Sequence, residues 1–292
     1  ENTSGSYNTA VGAGIDGVTQ GALGLNTTGS YNTGIGYQAL RSNTTASNNT
    51  AVGYQAGYSN TTGDANTVVG ALALDASTTA SYNSVFGNGA MGNTTTGVEN
   101  AAFGFWSMLN NSTGFRNAAF GSEALRSNTT ATDNTAVGYK AGFGVTTGYI
   151  NTLLGSNAGS SITTGVNNTC IGFNSQPSSA TVYNEFTLGD SSTNNLRCND
   201  TTISSLSDVR DKTNIEAIPF GLDYICALRP VKFDWDRRDG SANGRKDFGF
   251  IAQELDAVEQ TFGLSEYTRL VHKDNPDKWE ADPMKTYPIL IK

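Results

Sequence analysis

The chain has 292 residues, enough for one large or two ordinary domains, and it carries 18 basic against 26 acidic side chains, a net charge of -8. With so few Lys and Arg residues in its long first part, it offers no basic surface for phosphates, which argues against nucleic acid as a partner. No run of about 18 apolar residues occurs, so we expect no membrane insertion. The one His and the three Cys residues match no metal spacing, and we expect neither a metal nor another cofactor.

Charged residues divide the chain into two unlike parts. Residues 1–200 hold 15 charged side chains, whereas the last 92 residues hold 29. This change near residue 200 predicts two different domains. From the patterns described below, we expect a repetitive β-solenoid shaft over residues 1–175, a spacer over 176–203 and a C-terminal domain over 204–292.

A seventeen-residue repeat fills the first domain. Each repeat has an Asn followed four positions later by a Gly, beginning with Asn8 and Gly12. The first step, from Asn8 to Asn32, is longer than the others, which a loop inserted at 13–19 would explain. From there the motif Asn recurs at even spacing at 32, 49, 66, 83, 100, 117, 134, 151 and 168. A fixed period of this size indicates a solenoid of stacked coils.

Two adjacent small or apolar residues precede the Gly of every repeat, as Val68 and Val69 precede Gly70. Neighbours on a strand point to opposite faces, so one lines the core of the coil and the other needs separate cover. A second chain would supply that cover. Recurrent Thr-Thr turns predict two short strands per coil, and the motif Asn is expected to form an amide ladder, with ligand binding as its alternative use.

Aromatic and acidic side chains of the repeats leave two further functions open. Aromatic residues after the Gly could stack on sugars, although packing against a neighbouring coil is their commoner use: Tyr37, Tyr54, Phe105, Tyr139 and Phe173. Acidic residues recur at no common position in the repeat, which argues against a glycosidase. A carboxylate pair assembled from different coils keeps a polysaccharide depolymerase as an alternative.

The period and motif resemble those of the head domains of trimeric autotransporter adhesins and of the repetitive shafts of phage tail fibres. The resemblance covers residues 1 to about 175 and implies a trimer of parallel β-rolls. The expected fold is therefore mainly β: a trimeric parallel β-roll or solenoid followed by a small α/β domain. The resemblance does not decide between a bacterial adhesin and a viral fibre.

The last ninety residues predict a mixed α/β domain. A helix is expected over 220–228, ended by Pro230, and a strand over 231–235. After a loop at 239–244, a second strand is expected over 248–252 and a second helix over 253–262, where only part of the helix face is apolar.

Four pieces of this domain resemble, in order, the endosialidase-type intramolecular chaperone, a self-cleaving peptidase family found at the C-termini of phage tailspikes and tail fibres. The pieces are SDxRxK at 207–212, LRPVxFxW at 228–235, GFIAQEL at 249–255 and YPILIK at 287–292. The resemblance implies that the domain helps three chains to register and fold, and then cuts itself off before Ser207. Long C-terminal helices follow the last piece in that family.

The implied reaction has an intelligible chemistry. The Ser207 hydroxyl would attack the carbonyl carbon of Leu206, and Lys212 would act as the base if its amine were neutral. Moving the pKa of a lysine from about 10.4 to near 7 requires roughly 4 to 5 kcal/mol of desolvation or repulsion, for which Arg210 is one source. Any enzymatic activity is thus at most one self-cleavage per chain by a Ser207–Lys212 dyad.

The leading functional hypothesis is the distal part of a bacteriophage tail fibre or related virion appendage, placed outside the cell. Its expected partners are two further copies in a homotrimer, a glycan or protein receptor on the host surface, and other virion tail proteins. A trimeric adhesin on a bacterial surface and a tailspike that degrades polysaccharides are the alternatives.

Overall fold

The computed structural model describes residues 2–12, 14, 20–193, 195–197, 208–218, 220–237, 244–264, 270–273 and 279–281. The chain divides into two compact units, Glu1–Asp190 and Ser191–Lys292. Among the described residues, no helix is both long enough and apolar enough to cross a bilayer.

The first unit is a parallel β-solenoid with one short strand in each coil. Thr33 pairs with Thr50 and Thr50 with Thr67, so each coil adds one repeat, whereas Thr9 pairs with Thr33 across the longer first step. The predicted solenoid is confirmed, and so is that longer step, whose insertion at 13–19 has only residue 14 described. The strands pair in chain order: β1 Thr9–Val11, β2 Thr33–Ile35, β3 Thr50–Val52, β4 Thr67–Val69, β5 Ser84–Phe86, β6 Ala101–Phe103, β7 Ala118–Phe120, β8 Thr135–Val137, β9 Thr152–Leu154, β10 Thr169–Ile171 and β11 Phe186–Leu188.

The second strand predicted for each coil is wrong. After the motif Gly, the described coils turn through residues with left-handed backbones, such as Leu72 at φ 55° and Leu74 at φ 49°. An extended strand cannot pass through such residues. Their N–H groups still bond to the neighbouring coils, Leu72 to Tyr54 O at 2.9 Å and Leu74 to Ala90 O at 3.0 Å, so the stack stays hydrogen-bonded without a second strand.

The interior of the solenoid is narrow and filled by small and medium side chains. From β3 to β10 the middle residue of each strand is buried: Ala51, Val68, Val85, Ala102, Ala119, Ala136, Leu153 and Cys170. A pair of residues that follows the bend at the motif Gly completes this core, as Ala73 and Leu74 do in one coil. The motif glycines make the bend possible, since Gly104, for example, has φ +139°, where a side chain is strained.

The stack continues into the range 176–203 that the sequence analysis assigned to a spacer. Strand β11 pairs with β10 in the same register as the earlier coils, with Phe186 opposite Thr169. Glu185 stands where the motif Asn would stand, and its N–H donates to Asn168 Oδ1 at 3.0 Å. Because Glu replaces Asn, this coil does not carry the motif that reveals the others.

The described residues of the second unit form a small α/β arrangement. Its elements are a 3₁₀ helix Val209–Asp211, α1 Leu222–Ala227, β12 Val231–Asp234, β13 Lys246–Gly249, α2 Ala252–Thr261, β14 Val271–His272 and β15 Glu280–Ala281. The strand expected at 248–252 instead begins at Lys246 and ends at Gly249, because the chain enters α2 at Ala252. Tyr224, Leu264 and Leu270 form a core against which Phe220 and Phe262 pack.

Candidate functional site

The predicted self-cleavage segment is described from Asp208 onward, and Leu206 and Ser207 lie outside the described residues. Asp208 caps a single 3₁₀ turn, and its Oδ1 accepts a hydrogen bond from the Arg210 N–H at 2.9 Å. The Lys212 N–H closes the turn by donating to Val209 O at 3.2 Å. Ser207 therefore directly precedes a capped turn that ends at Lys212.

Arg210 and Asp208 form a bidentate ion pair in this turn. Arg210 Nε lies 3.0 Å from Asp208 Oδ1, and a terminal nitrogen lies 2.6 Å from Oδ2. The pair lowers the pKa of the Asp208 carboxyl. Arg210 is thus engaged by a carboxylate, which weakens the repulsion that it was expected to exert on Lys212, and the Lys212 side chain is exposed. The Ser207–Lys212 dyad remains a prediction.

The two middle pieces of the resemblance meet in space. The Arg229 guanidinium binds the Glu254 carboxylate, with Nε 2.9 Å from Oε2 and a second contact from a terminal nitrogen to Oε1. This pair lowers the pKa of the Glu254 carboxyl. Trp235 Nε1 donates to Asp247 Oδ2 at 3.2 Å, which joins the end of β12 to β13. Arg229 and Glu254 belong to two of the quoted pieces, but their pairing was not predicted from the sequence.

A cleft of about 140 Å³ lies between the end of α1 and the first turns of α2. Leu228, Ile251, Leu255 and Val258 supply apolar walls, and the Arg229–Glu254 pair stands at the same cleft. Two acidic residues of α2 bind the segment that follows this helix in the chain. Glu259 Oε1 accepts a hydrogen bond from the Leu270 N–H at 3.1 Å, and the Asp256 carboxylate forms an ion pair with Lys273. Asp256 and Glu259 therefore act as structural ties.

The solenoid presents a second candidate site, an apolar stripe on its outer surface. The stripe consists of the residue before the motif Gly in each coil: Val11, Ile35, Val52, Val69, Phe86, Phe103, Phe120, Val137, Leu154, Ile171 and Leu188. These side chains point away from the core, and Phe120 and Leu154 are 41% and 47% exposed. At its centre, Phe103 stacks on Phe86 and Phe120 with ring centroids 4.7 and 4.8 Å apart.

Other exposed apolar residues are confined to the same side of the coil. Among the described residues of the first unit, every exposed large apolar side chain lies between two positions before the motif Asn and six after it. The Thr-Thr turns, represented by Thr129 and Thr130, lie outside this range and contribute none. The exposed large apolar side chains of these described residues are thus confined to one side of the coil, which also carries the Arg116–Asp133 ion pair.

The motif Asn residues form the predicted amide ladder. Asn66 Nδ2 donates to Asn49 Oδ1 at 3.1 Å and to Ala80 O at 2.8 Å, and the Asn66 N–H donates to the same Oδ1 at 2.9 Å. A second ladder, not foreseen, runs through the Asn residues of the Thr-Thr turns, where Asn60 Nδ2 donates to Asn43 Oδ1 at 3.1 Å. Both ladders are buried, which commits their amides to structure.

The comparisons with known proteins found one match, and it lies within the second unit. A family model described as the chaperone of endosialidase, a peptidase family, matches residues 207–264. No curated protein and no solved structure matches the chain. The matched segment covers about a fifth of the chain, begins at Ser207 and contains α1, β12, β13 and α2, so the turn at 208–212 and the Arg229–Glu254 pair both fall within a segment similar to that chaperone.

Proposed function

We propose that this chain is part of a trimeric tail fibre or related appendage of a bacteriophage, with a solenoid shaft that meets the host surface. The single observation that carries the proposal is that one chain holds both an outward apolar stripe, present in every coil, and a segment similar to the chaperone of endosialidase. In this proposal the chaperone segment brings three chains into register, and the shaft stays assembled on the virion.

The apolar stripe supports association of the shafts. A contiguous stripe of exposed apolar side chains usually marks an interaction site. Burying it would stabilise association by about 25 cal/mol for each Å² of apolar area removed from water. The stripe repeats at the same position of every coil, so identical shafts packed around a common axis would bury it along their whole length. The polar Thr-Thr side would then face solvent.

Self-cleavage is the second part of the proposal. The Ser207 hydroxyl would attack the Leu206 carbonyl carbon while Lys212 takes the hydroxyl proton. Lys212 would return this proton to the Ser207 nitrogen as the peptide bond breaks, which leaves a Leu206 ester on the Ser207 oxygen and a free Ser207 amine; water would then hydrolyse the ester. Since Lys212 is exposed in the single chain, the burial that makes its amine neutral would come from assembly. Cleavage after assembly would make the stability of the trimer kinetic.

Light scattering tests the trimer directly. For this 30.7 kDa chain, the molar mass measured at micromolar concentration should be three times that of one chain and should not change on dilution. A folded monomer would contradict the proposal. A trimer that occurs on bacterial surfaces, and is missing from phage particles when probed with antibodies to the solenoid, would favour the adhesin instead.

A further inference from the structure

A cluster of aromatic and charged side chains occupies one flank of the solenoid beside coils β6 to β8. We define the Trp106 cluster as Trp106, Glu123, Arg126, Tyr139, Lys140 and Phe143. The described part of the first unit has four basic residues, and Arg126 and Lys140 are two of them. Trp106 is the one tryptophan in residues 1–190. Such a group of large aromatic and charged side chains is unusual in a shaft built mainly from Asn, Thr, Gly and small apolar residues.

Cations and rings alternate within the cluster. The Arg126 guanidinium carbon lies 4.9 Å from the centroid of the Trp106 ring and 5.6 Å from that of Phe143. Lys140 Nζ lies 5.1 Å from the Tyr139 centroid and 5.4 Å from the Phe143 centroid. These distances are those of cation–π contacts, which stabilise this arrangement of rings and cations.

Glu123 joins the two cations. Its carboxylate lies 3.1 Å from Arg126 and 4.0 Å from Lys140, and the exposed fractions of the Glu123 and Lys140 side chains are 16% and 34%. The cluster therefore places a carboxylate acceptor beside cationic donors, next to aromatic faces. Gly89 leaves room for the Trp106 indole, since a Cβ at position 89 would lie 2.7 Å from Trp106 Cδ1.

We propose that the Trp106 cluster binds a pyranose glycan chain, an inference that rests on the proposed attachment role. A pyranose ring has a face of C–H groups that packs on aromatic rings. Two rings are available for this contact: Tyr139 of the cluster, which is 47% exposed, and Phe105, which stacks on Trp106 and is 44% exposed. Vicinal hydroxyls both donate and accept, so they are matched by the acceptor Glu123 and the donor Lys140. The cluster lies two to six positions beyond the apolar stripe in each coil, so it is made of residues distinct from those of the stripe.

Binding of the full chain to an array of immobilised gluco-, galacto- and manno-oligosaccharides, neutral and uronic acid-bearing, tests this inference. The unaltered chain should bind at least one pyranose oligomer. Tyr139→Ala and Glu123→Gln should each weaken this binding at least ten-fold, or about 1.4 kcal/mol. Tyr54→Ala is the matched control, because Tyr54 has the same position in its coil and is 50% exposed, and it should bind like the unaltered chain.

Two results would overturn the glycan site: binding to none of the oligosaccharides, or equal binding by the unaltered chain, Tyr139→Ala and Glu123→Gln. Circular dichroism melting of both variants checks that they fold, since Tyr139 is exposed and Gln keeps the shape of Glu123. Adhesion of the chain to a panel of bacterial strains separates this inference from the attachment role. Oligosaccharide binding without adhesion to cells contradicts the attachment role alone, whereas adhesion that both variants retain contradicts the glycan site alone.

Discussion

The carbonyl oxygen of Gly121 occupies the space that a side chain at Gly104 would need, since a Cβ at position 104 would lie 2.5 Å from it. The same relationship links each motif Gly from Gly36 to Gly155 to the next one along the stack. The motif Gly is therefore required by the close approach of neighbouring coils as well as by its backbone conformation.

Gly104→Val should destabilise the solenoid strongly. The substitution adds overpacking of about 1 to 3 kcal/mol to the roughly 1 kcal/mol cost of losing a permissive glycine conformation. Thermal unfolding followed by circular dichroism measures the effect. Gly57→Ala is the control, because Gly57 lies in the same solenoid and has φ +60°, but its built Cβ would closely approach only the flexible end of Leu40, at 3.0 Å, so it should show mainly the conformational cost. Equal effects of the two changes would contradict the close-approach argument.

Ser77→Asn should stabilise the solenoid by about 1 kcal/mol. Ser77 occupies a position of the second ladder where Asn43 and Asn60 stand in the preceding coils, and both Asn60 Oδ1 and Ser77 Oγ are buried without a partner. An Asn at position 77 would donate to Asn60 Oδ1, as Asn60 donates to Asn43 Oδ1.

Urea titration of the Ser77→Asn variant measures this gain. Thr78→Asn, one residue further on and exposed, should leave the free energy of unfolding within about 0.5 kcal/mol of its original value. A lower stability of Ser77→Asn would show that the ladder has no room for a longer side chain there.

Phe103→Asp should dissociate the proposed trimer while leaving each shaft folded. Phe103 is the central ring of the phenylalanine stack, and its replacement would put a charge into a buried interface, where an unpaired charge is costly. Thr130→Asp adds the same charge to the exposed polar side and serves as the control. If light scattering finds the same mass for both variants, the stripe is not the interface.

Stability of the solenoid should fall at alkaline pH because of Cys170. Burial, together with the charge of Glu185, raises the pKa of this thiol from 9.0 to about 11. A group whose folded pKa is raised contributes stability that is complete below its unfolded pKa and is lost as the pH rises through the folded value. We therefore expect the midpoint of urea unfolding to decline between pH 9 and 11.

Cys170→Ala should remove that decline between pH 9 and 11, although it lowers stability below pH 9, where the thiol is protonated in both states. The same cysteine gives a second readout in a Cys198→Ser, Cys226→Ser background. Because Cys170 is 0% exposed, a thiol reagent should react with it only after the coils open. Rapid reaction in the absence of denaturant would show that this end of the stack opens easily.

Expression of the complete gene tests self-cleavage. The unmodified protein should yield a fragment that begins at Ser207, and Ser207→Ala and Lys212→Ala should each leave a full-length chain in mass spectrometry. Lys212→Arg, which keeps the charge but cannot act as a neutral base, should also stay uncut. Cleavage of the Ser207→Ala chain at the unmodified rate would show that Ser207 is not the nucleophile.

The repeat made most of the solenoid predictable, since a fixed period sets the register of every coil. The eleventh coil was missed because Glu185 replaces the motif Asn, although Gly189 keeps its place. The second strand was predicted wrongly because residues such as Gln55, at φ 52°, adopt a left-handed backbone that a single sequence seldom reveals.

Contacts between distant residues were harder to foresee in the second unit. The helices and strands followed from local patterns, and Pro230 marked the end of α1 well. The Arg229–Glu254 pair joins positions far apart in the sequence, and neither residue alone indicates the other. Burial of Glu259 is also hidden from the sequence, because a helix face with an acidic residue normally faces solvent.

The amide ladder has a direction, and this direction makes the two ends of the rod chemically unlike. Each Asn donates towards the preceding coil, as Asn168 does to Asn151 Oδ1 at 3.1 Å, so further identical coils could in principle be added head to tail. Glu185 ends the row of side-chain amides, because its carboxylate has no N–H₂ group to donate to Asn168, although its backbone N–H still donates to Asn168 Oδ1 at 3.0 Å. The last coil of the described stack thus presents a carboxylate where the earlier coils present an amide, a difference in charge as well as in hydrogen bonding.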